Sequence, residues 1–81
     1  MKTIEDKDLS DILLRIASEC KRARSTHGIF HSTHEAYGVI KEEFEEWWDS
    51  VKDDEPDDEE LISVAAMAVL AIKELKGQNK I

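Results

Sequence analysis

An all-α fold follows from three features of this 81-residue chain. Apolar residues recur at spacings of three and four along three stretches, no stretch alternates with period two, and the only proline, Pro56, falls in a polar gap. The predicted helices span about 6–25, 33–52 and 57–76, and residues 1–81 read as one small helical domain without internal repeats.

The first helix places Leu9, Ile12, Leu13, Ile16, Ala17, Cys20 and Ala23 on one face, the pattern of an amphipathic helix. Glu5, Asp6, Asp8 and Asp11 stand in its first turns and Lys21, Arg22 and Arg24 in its last, the order that the helix dipole favours. The same basic residues can reach a phosphate. Cys20 sits among apolar neighbours and reads as core; as the only cysteine it can form no disulfide within the chain, which fits a reducing compartment.

The segment Ser25 to His31 reads as a turn in which Gly28 is free to adopt positive φ. Ser32-Thr-His-Glu35 fits a capping box, with the Ser32 hydroxyl and the Glu35 carboxylate each taking the other's backbone N–H. The second helix then starts near Thr33, carries Ala36, Tyr37, Val39, Ile40, Phe44, Trp47, Trp48 and Val51, and ends near Lys52. Asp53-Asp-Glu-Pro-Asp-Asp58 reads as a solvated acidic turn and N-terminal cap, and it lacks the glycine spacing of an EF-hand. Gly77 is expected to close the third helix.

That third helix is apolar around its whole circumference, through Leu61, Ile62, Val64, Met67, Val69, Leu70, Ile72 and Leu75. Three helices alone leave one of its sides wet. A chain this short also buries only roughly 60–65% of its unfolded surface. A homo-oligomer, dimer or tetramer, is therefore expected to complete the bundle, with Ala65, Ala66, Ala68 and Ala71 allowing close helix approach. Trp47 and Trp48 read as core or interface, and either can stack on a nucleobase.

Nineteen acidic against eleven basic residues give a formal charge of −8, which argues against nucleic-acid polymers as partners. The first eight residues contain no apolar signal region, and the longest apolar run, Leu61 to Ile72, falls short of the ~20 residues that cross a bilayer. A soluble, cytoplasmic protein without membrane contact is expected.

Candidate chemistry lies in Glu42, Glu43, Glu45 and Glu46, packed into two turns. At 100° per residue, Ala36, Ile40, Phe44, Trp47 and Val51 centre an apolar arc and Glu43 falls inside it. Glu46, Glu42 and Glu35 lie at its rim, and Glu45 points to solvent. A carboxylate facing a core needs a partner. That partner is either Arg15, Arg22 or Lys73, or a divalent cation shared with Glu46 and with Glu60 of the next helix, since antiparallel packing brings the start of that helix to the end of the second. Glu59 and Glu60 also suit the dipole at a helix start without any site.

The stretch His31-Ser-Thr-His-Glu-Ala-Tyr-Gly-Val-Ile-Lys-Glu-Glu-Phe-Glu-Glu46, followed by Glu60-Leu-Ile-Ser-Val-Ala-Ala-Met-Ala68, resembles the MazG-like branch of the all-α nucleotide pyrophosphohydrolases, over roughly residues 27–76. The resemblance implies magnesium held by E-x-x-E on one helix and E-x-x-D on the next, and hydrolysis of a nucleoside triphosphate to monophosphate and pyrophosphate. Glu43-Phe-Glu-Glu46 matches the first motif and Glu60-Leu-Ile-Ser63 the second, with Ser63 where the family has aspartate.

Two functions follow as expectations. In the first, magnesium or manganese bound by Glu43, Glu46 and Glu60 serves a pyrophosphohydrolase, with Glu42, Glu43 and Glu46 as its catalytic acids and Glu42 orienting the water. Lys21, Arg22 or Lys52 then contact phosphates while His27, Gly28, His31 and His34 line the pocket, although loop packing and helix capping are the favoured account of the histidines. His31, His34 and Glu35 can also form a small transition-metal site. In the second, a non-catalytic helical oligomer binds nucleotide or metal as a regulatory module, and Ser63 favours it.

Overall fold

In the computed structural model, which describes residues 3–81 and side chains from residue 7 onward, the chain forms three α-helices and no strand among those residues. They are α1 (Thr3–Thr26), α2 (Thr33–Lys52) and α3 (Asp58–Gly77). The predicted dipole contributions of the Glu5 and Asp6 side chains fall outside the described residues.

The all-round apolar helix takes the middle position. α3 packs against both α1 and α2, while α1 and α2 do not pack against each other, giving a slab of 38 × 33 × 23 Å. Ala66, Met67, Leu70, Ala71 and Leu75 of α3 form the core with Ala23, Phe30 and Ala36, and Ile16, Cys20, Val39 and Ile40 pack onto it. Alanines at four of these positions let the helix backbones approach closely, so few gaps remain for larger side chains to fill. Cys20 is a structural thiol, donating to the Ala66 carbonyl at 3.6 Å.

The helix ends depart from expectation in instructive ways. Ser32 caps α2 by accepting from the Glu35 N–H at 3.0 Å, but the Glu35 carboxylate accepts from the His31 N–H at 2.6 Å rather than from Ser32. The box is thus opened by one residue and ties the preceding loop to the helix. Asp57, expected as the first helical residue, is the N-cap of α3 and accepts from the Glu59 N–H at 2.9 Å.

No glycine adopts positive φ; neither Gly28 nor Gly77 supplies the left-handed residue expected of it. Asp54 and Asn79, both at φ 59°, do so instead. After α2, the Glu55 N–H reaches the Ser50 carbonyl and the Asp54 N–H the Val51 carbonyl, both at 3.0 Å. After α3, Lys80 bonds Leu75 at 2.8 Å and Asn79 bonds Lys76 at 3.0 Å in the same pattern. Both ends are Schellman motifs, and short Asp and Asn side chains tolerate the left-handed conformation best after glycine.

One buried charge fastens the far end of the slab. Glu74 is only 9% exposed and accepts from the Arg24 guanidinium at 2.5 and 2.8 Å and from the Phe30 N–H at 3.0 Å. Arg24 also lies over the Phe30 ring, 5.0 Å from its centroid, and Gln78 Nε2 donates to the Phe30 carbonyl at 2.8 Å. The end of α1, the 27–31 loop and the end of α3 thus share one network.

Much apolar surface stays uncovered. Among the described residues no large side chain is fully buried, and the predicted arcs are only partly used: Leu9, Ile12 and Leu13 of α1 and Phe44 of α2 are exposed. The face of α2 turned to α3 runs through Ala36, Val39, Ile40, Glu43, Trp47 and Ser50, so the packed arc is rotated toward Glu43 and leaves Phe44 outside. Leu61, Val69 and Ile72 leave α3 uncovered on its other side.

Replacing Glu74 by Gln should cost roughly 2–3 kcal/mol at pH 7, because Arg24 loses its buried counter-charge. The Arg24 hydrogen bonds hold the Glu74 carboxyl below its ordinary pKa. Its contribution is therefore complete above the unfolded value of about 4.3 and is lost as pH falls through the folded value. Urea unfolding should show the gap between parent and Glu74→Gln shrinking below about pH 4.

Candidate metal centre

The site begins with helix periodicity. Glu42, Glu43 and Glu46 rise from neighbouring rows of α2, and each can offer one carboxylate oxygen such that all lie within 4.8 Å of one another. Among the described residues this is the only group of three such metal-ligating side chains; His31, His34 and Glu35 do not converge. The short Asp53–Asp57 connection folds α3 back antiparallel, which sets Glu60 beside Glu46. Glu45 is exposed and paired with Lys41 at 2.5 Å, in keeping with its outward position.

Among the described residues no ion pair reaches Glu42, Glu43, Glu46 or Glu60. The three bases considered for Glu43 are otherwise placed: Arg15 bonds Asp58 at 3.1 Å, Arg22 binds Glu19 at 2.5 and 2.9 Å, and Lys73 is exposed. Glu60 Oε2 is buried without any hydrogen-bond partner. Burial, followed by the charges of Glu46, Glu60, Glu42 and Glu19, pushes the Glu43 carboxyl above its ordinary pKa. Burial first, and then the Glu46 charge and a proton shared with Glu46, raises Glu60 as well. Mutual repulsion among these acids would be relieved by a bound cation, and Glu42, Glu43 and Glu46 are placed so that they could hold one. A set of carboxylate oxygens alone suits a hard ion such as magnesium or manganese.

Two hollows adjoin the cluster. One, of about 500 Å³, lies between the end of α1, the 27–31 loop and α2, and is walled by Glu42 and Glu43, by Arg22, Arg24, His27 and His31, and by apolar Ile29, Phe30 and Met67. The other, of about 540 Å³, is acidic, with Glu46 and Glu60 facing Asp53, Glu55, Asp57 and Asp58. Lys21, Lys52 and His34 line neither. Lys52 instead lies by Asp49 at 3.4 Å and over the Trp48 ring at 5.8 Å. Ser63 is turned toward α1, in a third hollow of about 410 Å³ with Arg15, Ser18, Glu19 and Arg22.

Two residues of consequence escaped the sequence reading. Glu74 continues the apolar row Met67, Leu70 and Ala71, and Glu19 interrupts the row Ile12, Ile16 and Ala23; an acid within an apolar row was the signal in both cases. Comparison with protein-family models, with curated proteins and with solved structures finds no match.

Repulsion within the cluster has a measurable sign. Because the folded pKa of Glu43 is raised, its ionisation opposes folding once pH climbs past the ordinary carboxylate range. In the presence of a chelator at pH 7, Glu43→Gln should melt a few degrees above the parent, the scale of about 1 kcal/mol in so small a domain. Below about pH 4 the two melting temperatures should converge. Millimolar magnesium or manganese should raise the parent's melting temperature and leave that of Glu43→Gln nearly unmoved.

Proposed function

We propose that this chain is a divalent-cation-dependent nucleoside triphosphate pyrophosphohydrolase, releasing pyrophosphate and a nucleoside monophosphate. The observation that carries this reading is the convergence of Glu42, Glu43 and Glu46, with Glu42 and Glu43 lining a hollow that also holds basic and apolar side chains and with Glu60, whose Oε2 is buried and unpartnered, near Glu46. The MazG-like sequence pattern supports it through the same residues.

Glu43, Glu46 and Glu60 would hold the cation. When bound, magnesium or manganese supplies charge stabilisation at the phosphates and a lowered pKa for water. Glu42, exposed at the rim, accepts a hydrogen bond from the attacking water and orients it. Arg22 faces the phosphates, and Ile29, Phe30 and Met67 offer an apolar wall to the base. The Glu74 network holds Phe30, and with it that wall, in place.

A second copy completes the bundle. Leu9, Ile12 and Leu13 on α1 and Leu61, Val69 and Ile72 on α3, all exposed in the single chain, form the apolar surface that it covers. Sedimentation should find a dimer or tetramer in the parent. Ile72→Glu should shift it toward monomer and lower its stability.

Ser63 favours the second reading, a regulatory module that binds nucleotide or metal without turnover. A neutral hydroxyl beside Glu19 and Arg22 stands where the family pattern has a fourth carboxylate. Pyrophosphate release from a panel of ribo- and deoxyribonucleoside triphosphates decides between the two. Turnover with magnesium or manganese that falls at least about a hundredfold in Glu43→Gln supports the enzyme, on the scale of losing a principal charge-stabilising group. A silent parent in which Ser63→Asp restores turnover supports the module.

A further inference from the structure

Side chains, not backbone, hold the segment that joins α1 to α2. Among the described residues, the N–H and C=O groups of Phe30 and His31 make no backbone–backbone hydrogen bond. A backbone polar group needs a partner, whether protein or water, and here side chains supply all four. Glu74 accepts from the Phe30 N–H at 3.0 Å and Glu35 from the His31 N–H at 2.6 Å. Gln78 Nε2 donates to the Phe30 carbonyl at 2.8 Å, and Lys80 Nζ donates to the His31 carbonyl. Three of these partners come from the end of α3 and the turn that follows it.

The three differ in how firmly they are themselves held. Glu74 is buried and gripped by Arg24, so it keeps Phe30 seated. Gln78 is half-buried, and its Nε2 is steadied by a second bond to the Glu74 carbonyl at 2.9 Å. Lys80 is exposed and carries a long flexible stem. Its place is set by Asn79, whose left-handed conformation turns the chain back and lets the Lys80 N–H reach the Leu75 carbonyl at 2.8 Å. The loop is therefore fastened tightly at Phe30 and loosely at His31, and segments held by exposed bonds open first. Both residues, with Ile29 beside them, wall the 500 Å³ hollow that Glu42 and Glu43 also line.

We propose that Gln78 and Lys80 form a latch that sets how the 29–31 segment stands over this hollow, closed while both donate and open at the His31 end when they let go. They are positioning residues: neither lines the hollow, and both act through the carbonyls of residues that do. The consequence for catalysis rests on the triphosphate hydrolysis proposed above. There the closed latch holds Ile29 and Phe30 against the base, and it bonds none of Glu42, Glu43 and Glu46.

Amide hydrogen exchange, read by NMR on the ligand-free protein, tests the latch without reference to turnover. In Gln78→Ala combined with Lys80→Met, the Phe30 and His31 N–H groups should exchange about tenfold faster, the scale of a net hydrogen bond, while the Leu70 N–H in the middle of α3 quickens far less. Lys80→Met alone should quicken His31 more than Phe30, and Lys80→Arg, which still donates, should keep the parent rate. Unchanged Phe30 and His31 rates in the double variant overturn the latch. So does a quickening that Leu70 shares in full, which marks a general loss of stability. In pyrophosphate release the double variant should raise KM severalfold with kcat held within about twofold, and a fall in kcat at unchanged KM overturns the positioning role. A parent without turnover removes the pyrophosphohydrolase reading, and the exchange rates then decide the latch by themselves.

Discussion

Everything in this slab is arranged around α3, because only that helix offers apolar surface on every side. α1 and α2 each cover part of it and leave each other alone. Two glutamates near its ends then take opposite fates. Glu74 is enclosed by the Arg24 guanidinium and the Phe30 N–H, so its charge is stabilised and its pKa falls. Glu60 is set against other acids, with one oxygen buried and bonded to nothing, and its pKa rises. The same side chain on the same helix is structural at one end and available to a cation at the other, and the difference lies in which helix faces it.

The two ends are mechanically linked. Glu74 accepts from the backbone of Phe30, Gln78 donates to its carbonyl, and Arg24 packs on its ring, which ties the loop between α1 and α2 to the end of α3. That loop walls the hollow into which Glu42 and Glu43 look. The left-handed residues Asp54 and Asn79 stop α2 and α3 with no glycine at the turn itself, and the tight turn at Asp54 sets the antiparallel return that brings Glu60 to Glu46. Precise placement of a repulsive acid group is thus obtained from caps and one ion pair, not from a large core.

A core this small has a corollary for assembly. The apolar residues that the helices do not cover are concentrated on the first half of α1, on Phe44 and Trp48 of α2, and on the free side of α3. Burying a Leu or Ile contributes about 1.5–3 kcal/mol each. The exposed set is therefore comparable in weight to the whole stability of a domain of this size. The second copy proposed above would cover this surface.

The sequence by itself determined the three helices, their limits to within a few residues, the Ser32 cap, and the division of the glutamate run into inward Glu43, rim Glu42 and Glu46 and outward Glu45. These are local or periodic properties, fixed by spacing along one chain segment. It did not determine which arc of α2 is buried, since the apolar arc centred near Phe44 is wider than the strip that α3 can cover, and Phe44 lost its place to Glu43. Nor did it reveal the counter-ions of Arg15, Arg22 and Arg24, the burial of Glu74, or the position of Ser63 beside α1. Each of those depends on what a different helix brings to the same point, and only the packing of α1 and α2 on α3 decides that.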